Sequence, residues 1–350
     1  MKITFRVDAS TQMGIGHVMR CLALAEVLQE NGANVGFICR KHDGNLIDKI
    51  RTYGFNVSEL ELLQDVQTDN KLAHSYWLGV TQQQDAKECI NILQLEKVDW
   101  LIVDHYALDE DWHNELNKYC NKLMVIDDIA DRKFQCDVLL NQNLGICKDD
   151  YKDKVPKKCK LILGSEYALI RPEFLKYRSK SLFKRKSTRE VKNILVSMGG
   201  SDNENITYKI LQKLDGNFNI VVVLGAISVH KEMIEKYAVG KTIKVVFDVD
   251  NMAQLMFDAD LSIGAGGATS WERCCLGLPT LMYITADNQK NVAKNLNKSG
   301  AVKIVRNLKS DLTEISSNFN LWINMSNQAT KVCDGMGGLR FLEILERSVK

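Results

Sequence analysis

The sequence has no apolar run that approaches the roughly 20 residues needed for a membrane-spanning helix, and runs such as 221–229 are much shorter. It also lacks an excess of either charge, because 46 Lys and Arg face 44 Asp and Glu and leave a formal net charge of +2. Bulk electrostatics therefore gives no reason to expect a nucleic acid or an anionic membrane as a partner. Arg6 and Asp8 interrupt the apolar start of the chain, so we expect a first strand there rather than a secretory signal.

Cysteine pairs with a recognisable spacing are also missing. The ten cysteines are scattered singly, apart from the adjacent Cys274 and Cys275, and none has the C-x-x-C or Cys/His spacing of a zinc site. Long enzymes of a reducing compartment commonly carry such buried thiols. We therefore expect reduced core cysteines, a cytoplasmic location and no metal.

The sequence does have a regular alternation of short apolar runs with helical periodicity, as βαβ units do. The runs 100–104 and 124–128 end in acidic residues, as expected of parallel strands that are buried on both faces and expose polar groups at their carboxyl ends. A chain of 350 residues has the length for about two domains. We predict an α/β fold with two doubly wound, Rossmann-like domains facing across a cleft.

The domain boundaries are predicted from a basic stretch, 176–189, that shows no periodic apolar face. We interpret 176–190 as a linker. This places an N-terminal α/β domain at 1–175 and a C-terminal α/β domain at 191–330. The last segment, 331–350, is predicted to contain an amphipathic helix, from the spacing of its apolar residues.

The most informative local feature is a glycine-bearing loop between the first strand and the first helix, which runs from Asp8 to Arg20. The amides at a helix start favour an anionic or polyhydroxylated ligand, and Gly14 and Gly16 permit a close backbone approach. His17 would stand beside that ligand as a general base for water. Alternatively, His17 is a capping or packing residue. Asp8, Gly14, Gly16 and Arg20 are candidate contacts. No third glycine follows, so a dinucleotide redox cofactor is not expected.

A second polar group, Asp104, His105 and Tyr106, follows the strand at 100–104. Asp104 could orient water or a sugar hydroxyl, while His105 and Tyr106 could bind substituents of the sugar. Alternatively, this segment is a turn in which Asp104 caps a helix. The adjacent Asp127 and Asp128 have no obvious third ligand, so no metal site is predicted there.

Two further glycine loops follow strands in the second half. The loop 197–202 offers Gly199, Gly200 and Ser201 to phosphate oxygens, and the loop 264–272 offers Gly266, Gly267 and Ser270 to a diphosphate. Glu272 could accept hydrogen bonds from both ribose hydroxyls. Glycines at turns are often only turns, but two such loops favour a nucleotide. Asn288 and Gln289 could reach the sugar or phosphate, or they cap the following helix.

In this order, the motifs of the chain resemble the UDP-sugar hydrolases of pseudaminic acid biosynthesis, which are similar to two-domain glycosyltransferase-B enzymes. The resemblance covers nearly the whole chain. It is carried by motifs at 14–20, 77–80, 104–109, 125–128, 136–143, 167–174, 197–202, 264–272, 287–289 and 334–340. Met336 departs from the lysine expected there.

The resemblance implies a cytoplasmic, metal-independent hydrolysis of UDP-2,4-diacetamido-2,4,6-trideoxy-β-L-altropyranose to the free sugar and UDP, for modification of flagellin or surface glycans. Water would attack with inversion at the anomeric carbon and His17 would be the base. By the same resemblance, Glu272 matches the ribose ligand, Asn288 lies near the ligand, and Asn251 and Met252 lie beside the uracil. Tyr167 and Arg171 match a motif where the domains meet.

This interpretation needs no cofactor and no macromolecular partner, because UDP is part of the substrate, and we expect a monomer. A glycosyltransferase-B-type transferase that uses a UDP-sugar donor and an acceptor other than water is the alternative, since one fold serves both reactions. A sensor that binds a nucleotide sugar without turnover is a third interpretation, in which His17 is only a ligand contact.

Overall fold

The computed structural model describes residues 1–62, 71–95, 97–200, 202–214, 218–225 and 228–349. The chain forms two compact units. The first contains Met1–Arg171 together with Gly338–Lys350, and the second contains Pro172–Gly337. Each unit has its own parallel sheet.

The first unit contains a seven-stranded sheet with the order β3-β2-β1-β4-β5-β6-β7. Its strands are β1 (Lys2–Val7), β2 (Asn34–Arg40), β3 (Asn56–Leu60), β4 (Val98–Asp104), β5 (Cys120–Ile126), β6 (Val138–Asn141) and β7 (Lys160–Leu163). All paired neighbours run parallel. Its helices are α1 (Gly16–Glu30), α2 (Ile47–Thr52), α3 (Gln82–Leu93) and α4 (Glu110–Leu116), with short 3₁₀ turns at Ser75–Trp77, Asn117–Tyr119, Lys148–Tyr151 and Ser165–Tyr167.

The second unit contains a six-stranded parallel sheet of the same topology, β10-β9-β8-β11-β12-β13. Its strands are β8 (Asn193–Ser197), β9 (Asn219–Leu224), β10 (Ile243–Phe247), β11 (Leu261–Ala265), β12 (Thr280–Tyr283) and β13 (Val302–Ile304). Its helices are α5 (Pro172–Ser187), α6 (Ile206–Leu211), α7 (Lys231–Ala238), α8 (Met252–Asp258), α9 (Thr269–Cys275), α10 (Gln289–Lys298), α11 (Leu308–Ser317) and α12 (Phe319–Val332). The last helix is α13 (Gly337–Val349). The predicted pair of doubly wound sheets is confirmed.

The central strands explain why polar groups gather at one edge of the first sheet. Trp100, Leu101, Ile102 and Val103 of β4 are all fully buried, because helices cover both faces of the sheet. The first polar residue, Asp104, therefore comes where the strand ends. In the register of β4 with β1, Asp104 lies opposite Val7. Polar residues that end or follow neighbouring parallel strands thus meet at the same edge.

The predicted linker at 176–190 is wrong, because most of it belongs to α5, which is part of the second unit. The basic side chains of this helix donate to backbone carbonyls of that unit. Lys184 bonds to Phe257 O at 2.9 Å, and Arg178 bonds to Cys275 O at 2.5 Å. The helix docks through these polar bonds as well as through buried Phe174, which is why its apolar periodicity is weak. The boundary between the units falls after Arg171, not after 175.

The terminal helix is confirmed, but it is not a separate piece of the fold. Phe341, Leu342 and Leu345 of α13 join the core of the first unit, where the side chains of α1, β1 and β2 also pack. A Cβ at Gly338 would lie 3.1 Å from Val27 Cγ2, so the helix begins in close contact with α1. The chain therefore returns from the second unit to complete the core of the first.

Two expectations from composition, on membrane-spanning helices and on the cysteines, concern the described part of the chain. No helix there has the length and apolar character that crossing a bilayer requires. All ten cysteines are free thiols, and eight of them are buried; Cys147 is exposed and Cys159 is half-buried. Cys136 Sγ and Cys159 Sγ lie 3.6 Å apart.

Replacement of Phe341 by Ala should destabilise the first unit by about 3–5 kcal/mol, because a fully buried aromatic ring is lost and a cavity remains. Urea and thermal unfolding measure this change. The control is Glu343→Ala on the same helix, whose side chain is 66% exposed and whose ion pair with Arg347 is on the surface. Equal unfolding midpoints for the two variants would contradict the role of α13 in this core.

Candidate active site

The loop that precedes α1 is shaped by one glycine. Gly14 has φ +79°, a left-handed conformation that favours glycine, and its amide donates to Ser10 O at 2.8 Å. Gly14 is half-buried and Gly16 is exposed, so this backbone is accessible to a ligand. His17 is the second residue of α1 and is 8% exposed. The loop thus places an imidazole at the carboxyl edge of the first sheet.

His17 is oriented by Asp104. Its Nδ1 lies 2.7 Å from Asp104 Oδ1, although the two residues are 87 positions apart in sequence. Arg20 holds the same carboxylate with two bonds, Nε to Oδ2 at 2.6 Å and Nη2 to Oδ1 at 2.7 Å. Arg20 Nη2 also lies 3.4 Å from His17 Nδ1, but the shorter contact with a carboxylate assigns the proton to Nδ1. No described residue bonds to Nε2, which is therefore left as the basic nitrogen.

The charge of Asp104 is secured by its surroundings. Burial alone would raise the pKa of Asp104, but the positive charge of Arg20 and the contact with His17 outweigh burial and hold that pKa well below its usual range. Asp104 is fully buried, so it is ionised without facing solvent. This arrangement suits a carboxylate that orients a histidine rather than one that binds a sugar hydroxyl directly.

Arg20 also links the ends of β4 and β5. Its Nη1 bonds to Asp128 Oδ2 at 2.5 Å, and Tyr106 donates its hydroxyl to the same oxygen at 2.7 Å. Tyr106 is only 2% exposed, and burial raises the pKa of its hydroxyl, which keeps it protonated as a donor. Arg20 and Tyr106 therefore serve this buried network, and neither was predicted for that role.

An aromatic cluster lies beside the imidazole. The ring of Tyr106 meets that of His17 edge to face at 4.6 Å, and Trp77 stacks on Tyr106 at 5.5 Å. His74 packs edge to face against Trp77 at 4.5 Å, and burial lowers the pKa of His74. Sequence reasoning did not assign His74 or Trp77 to the site. The only signal was the position of Trp77 in a motif that carries the family resemblance.

A second buried network holds Asp8 and His105. Asp8 Oδ1 accepts from Arg6 Nη1 at 2.6 Å and from Arg40 N at 2.7 Å. His105 Nε2 lies 3.3 Å from Asp8 Oδ2, and His42 Nε2 lies 3.6 Å from the same oxygen. Asp8 is fully buried and His105 is 1% exposed. Both side chains are therefore buried at the carboxyl edge of the first sheet, beneath the loop that precedes α1.

The acidic pair that follows β5 is occupied by protein donors. Asp127 accepts from Arg132 at 2.9 Å and from the Tyr151 hydroxyl at 2.7 Å, while Asp128 accepts from Arg20 and Tyr106. Throughout the described ranges, no group of three His, Cys, Asp or Glu side chains is arranged to hold a metal ion. Asp127 and Asp128 are therefore both hydrogen-bonded to donors of the protein itself.

The motif that contains Tyr167 and Arg171 lies at the sequence boundary between the units. Tyr167 is half-buried, packs against the first core, and ends the 3₁₀ turn Ser165–Tyr167. Arg171 is half-buried and is the last residue of the N-terminal segment of the first unit. These positions match the predicted place of the motif in the chain.

The first glycine loop of the second unit ends in an aspartate that accepts hydrogen bonds from amides at the start of α6. Gly199 is exposed with φ +94°, and Ser201 lies outside the described residues. Asp202 accepts from Ile206 N at 2.8 Å and from Thr207 N at 2.9 Å, so a carboxylate of the chain already occupies the start of α6. The aspartate is itself the anion that satisfies these two helix amides, and the contact of Gly199, Gly200 and Ser201 with phosphate oxygens stays a prediction.

The second glycine loop brings several predicted residues together. A Cβ at Gly266 would lie 3.4 Å from Gln289 Cβ, and Gln289 Oε1 accepts from Thr285 N at 3.0 Å. The amide of Gly266 bonds to Tyr283 O at 3.1 Å, whereas no described residue accepts from the amide of half-buried Gly267. Ser270 and Glu272, on α9, are 1% and 8% exposed. The loop, α9 and Gln289 thus form one local cluster.

The other predicted contacts lie at starts of helices in the same unit. Asn251 precedes α8 and is exposed, while Met252 is 8% exposed. Asn288 is exposed and precedes α10, and its side chain makes no capping bond within the described chain. Capping therefore does not account for the side chain of Asn288.

The two sheets define the class of this protein. Two doubly wound parallel sheets in one chain are the glycosyltransferase-B architecture, and the crystal structure of Acinetobacter baumannii MurG has the same fold. That structure superposes with a TM-score of 0.67 at 16% identity and covers 99% of both chains. Residues 186–333 match the family model "Glycosyltransferase family 28 C-terminal domain", which includes the loop at 264–272. The predicted fold class is confirmed.

Two relatives found by sequence similarity indicate a more specific group of proteins within this architecture. The chain is 29% identical over 303 residues to the UDP-2,4-diacetamido-2,4,6-trideoxy-beta-L-altropyranose hydrolase of Campylobacter jejuni, across 86% of this chain and 97% of that one. It is 32% identical over 301 residues to the uncharacterized protein MJ1062 of Methanocaldococcus jannaschii, across 83% of this chain. The match spans only 57% of the length of MJ1062. The resemblance to the UDP-sugar hydrolases is confirmed.

Replacement of Arg20 by Met should destabilise the protein by about 3–5 kcal/mol at pH 7, because the carboxylate of buried Asp104 loses its counter-charge. In the wild type, the depressed pKa of Asp104 stabilises the fold above the ordinary carboxyl pKa, and this contribution is lost as pH falls through the depressed value. In the variant that pKa should rise. The destabilisation should therefore be smaller at pH 5, where Asp104 takes up a proton.

Urea unfolding at the two pH values tests this prediction. The matched control is Arg51→Met, which removes a 46% exposed side chain that pairs with Asp48 and Glu59 on the surface, and which should change stability little. A loss of stability for Arg20→Met that is independent of pH would show that Asp104 does not depend on this guanidinium.

Proposed function

We propose that this protein is an enzyme that hydrolyses UDP-2,4-diacetamido-2,4,6-trideoxy-β-L-altropyranose to the free sugar and UDP, in the cytoplasm, as a step of pseudaminic acid biosynthesis. The observation that carries the proposal is the 2.7 Å contact between His17 Nδ1 and Asp104 Oδ1, with Nε2 left as the basic nitrogen. The similarity to the Campylobacter jejuni hydrolase supports the choice of substrate. The glycosyltransferase family 28 domain supports a nucleotide-sugar ligand.

In the proposed mechanism, His17 Nε2 removes a proton from water as the water oxygen bonds to the anomeric carbon. The bond from that carbon to the diphosphate oxygen breaks, and its electron pair leaves with UDP. Because attack and departure occur on opposite faces of the sugar, the anomeric configuration is inverted. Asp104 fixes the ring and stabilises the imidazolium that forms, while Arg20 keeps Asp104 ionised.

The second unit would hold the leaving group. We propose that the loop at Gly266 and Gly267 receives the diphosphate, that Glu272 binds the ribose hydroxyls, and that Asn251 and Met252 lie beside the uracil. The support for this assignment is the local cluster of loop, α9 and Gln289. UDP is a good leaving group, so charge stabilisation by the protein suffices and neither a cofactor nor a metal is required.

Replacement of His17 by Ala should lower kcat by about 10²- to 10⁴-fold, since the general base is removed, while UDP affinity stays unchanged. Turnover is measured by release of UDP, and affinity by calorimetry. A matched control is His230→Asn, because His230 lies outside the site and bonds, among the described residues, to the backbone oxygen of Asn203. Near-normal turnover of His17→Ala would remove His17 from the mechanism.

Replacement of Glu272 by Ala should raise KM before it lowers kcat, because the ribose contacts form equally in the ground state and the transition state. Steady-state kinetics with the UDP-sugar measures both constants. Glu232→Ala is a suitable control, since Glu232 is an exposed residue of α7 outside this cluster. An unchanged KM would separate Glu272 from the ribose.

A transferase is the second candidate, and the match to a glycosyltransferase domain favours it. Incubation with the UDP-sugar and no acceptor distinguishes the two. Release of free sugar and UDP at a steady rate supports hydrolysis, whereas release that requires an added acceptor supports transfer.

Tight binding without any release would indicate a sensor. A panel of UDP-diacetamido sugars, analysed by mass spectrometry, tests the preferred stereoisomer.

A further inference from the structure

Arg273, on α9, is a buried cation without a carboxylate partner. It is 1% exposed, and its guanidinium forms no hydrogen bond with an acidic side chain of the described residues. Its Nη2 donates to Ala265 O at 2.6 Å and to Ser270 Oγ at 3.1 Å. Its Nε and Nη1 have no hydrogen-bonding partner in the described part of the chain. Burial lowers the pKa of Arg273 to about 10, which still leaves the guanidinium charged at neutral pH.

Two other buried arginines, Arg6 and Arg20 of the first unit, bond directly to carboxylates. In the second unit, Arg185 is also 1% exposed, but it donates to Met256 O at 2.8 Å and to Ala259 O at the carbonyl end of α8, which is the negative end of a helix. Among the described residues, Arg273 bonds neither to a carboxylate nor to the carbonyl end of a helix, and burial outweighs the charge of the neighbouring Glu272, which raises the pKa of Arg273. An uncompensated buried charge is unfavourable, so its presence points to an anion that binds close to it.

The position of Arg273 identifies where that anion would bind. A Cβ at Gly264 would lie 2.2 Å from Arg273 Nη1 and 3.1 Å from Ser197 O. The guanidinium therefore packs directly against the end of β11, at the point where β11 pairs with β8. The strand order reverses between β8 and β11. In doubly wound sheets, ligands bind outside the carboxyl ends of the strands at this reversal.

We infer that Arg273 is a positioning residue for a nucleoside diphosphate: from beneath the loop 264–267 it fixes Ala265 and Ser270 and supplies the positive charge that complements the diphosphate. The inference rests on the proposed function in one respect, the identity of the ligand as UDP. The surroundings have a low dielectric constant, so the attraction extends to an anion that Arg273 does not touch. Gly264 is required because a side chain there would displace the guanidinium.

Binding of UDP and of uridine to three proteins tests this inference by calorimetry. Arg273→Met should weaken UDP binding at least ten-fold and leave uridine binding within two-fold, because uridine lacks the diphosphate. Arg273→Lys keeps the charge but not the two guanidinium bonds, so its UDP affinity should lie between those of the wild type and Arg273→Met. If Arg273→Met does not fold, Arg273→Lys carries the test, with UDP binding weakened at least three-fold and uridine binding unchanged.

The matched control is Arg185→Met, which removes an equally buried guanidinium of the same unit at the end of α8. It should lower the thermal unfolding temperature but leave the ratio of UDP to uridine affinity unchanged. Equal weakening of UDP and uridine by Arg273→Met, or unchanged UDP affinity, would overturn the inference.

The outcome is separate from that of the proposed function, because binding is measured without turnover. A wild-type protein that binds UDP but releases no sugar would fail as a hydrolase, yet a selective loss of UDP affinity in Arg273→Met would still support the inference. A wild-type protein that does not bind UDP would overturn both.

Discussion

The arrangement of the first unit depends on one buried carboxylate, Asp104, held between an imidazole and a guanidinium. Asp104 ends β4, and both of its oxygens are occupied, by His17 and by Arg20. Arg20 continues the network to Asp128 at the end of β5. A charge of this kind is stable inside a protein only when its partners are fixed, since loss of one partner leaves a buried charge uncompensated. The same constraint fixes the tautomer of His17 and so decides which nitrogen is available for chemistry.

The two units share a sheet topology but differ in how they place charge. In the first, carboxylates and imidazoles at the ends of β1, β4 and β5 are paired in buried networks. This pairing leaves Nε2 of His17 as the nitrogen that no described residue binds. In the second, the corresponding edge has glycines and one cation without a carboxylate partner in the described residues. The first arrangement fixes the orientation of an imidazole through a paired carboxylate, whereas the second contains a buried guanidinium that bonds to no carboxylate among the described residues.

Sequence patterns predicted some of these features and missed others for identifiable reasons. The strands and the His17 loop were predictable because burial on both faces of a parallel sheet demands apolar runs, and polar residues must follow where a strand ends. The helix α5 was mistaken for a linker because it docks in part through Lys184 and Arg178 to carbonyl oxygens, and such contacts leave no apolar periodicity. Asp202 was grouped with the glycine loop, and the pattern did not indicate that its carboxylate accepts from amides of α6.

By itself, the sequence determined the order of strands, loops and helices, the parallel character of both sheets and the position of His17 at a helix start, because these follow from local apolar periodicity and the conformational freedom of glycine. The tertiary structure alone decided which polar residues serve one another and which remain open to a ligand. Asp104 meets Arg20 across 84 positions, and α13 returns to the first core from the end of the chain. Contacts of this kind depend on which strands and helices become neighbours in space, and no local pattern encodes that.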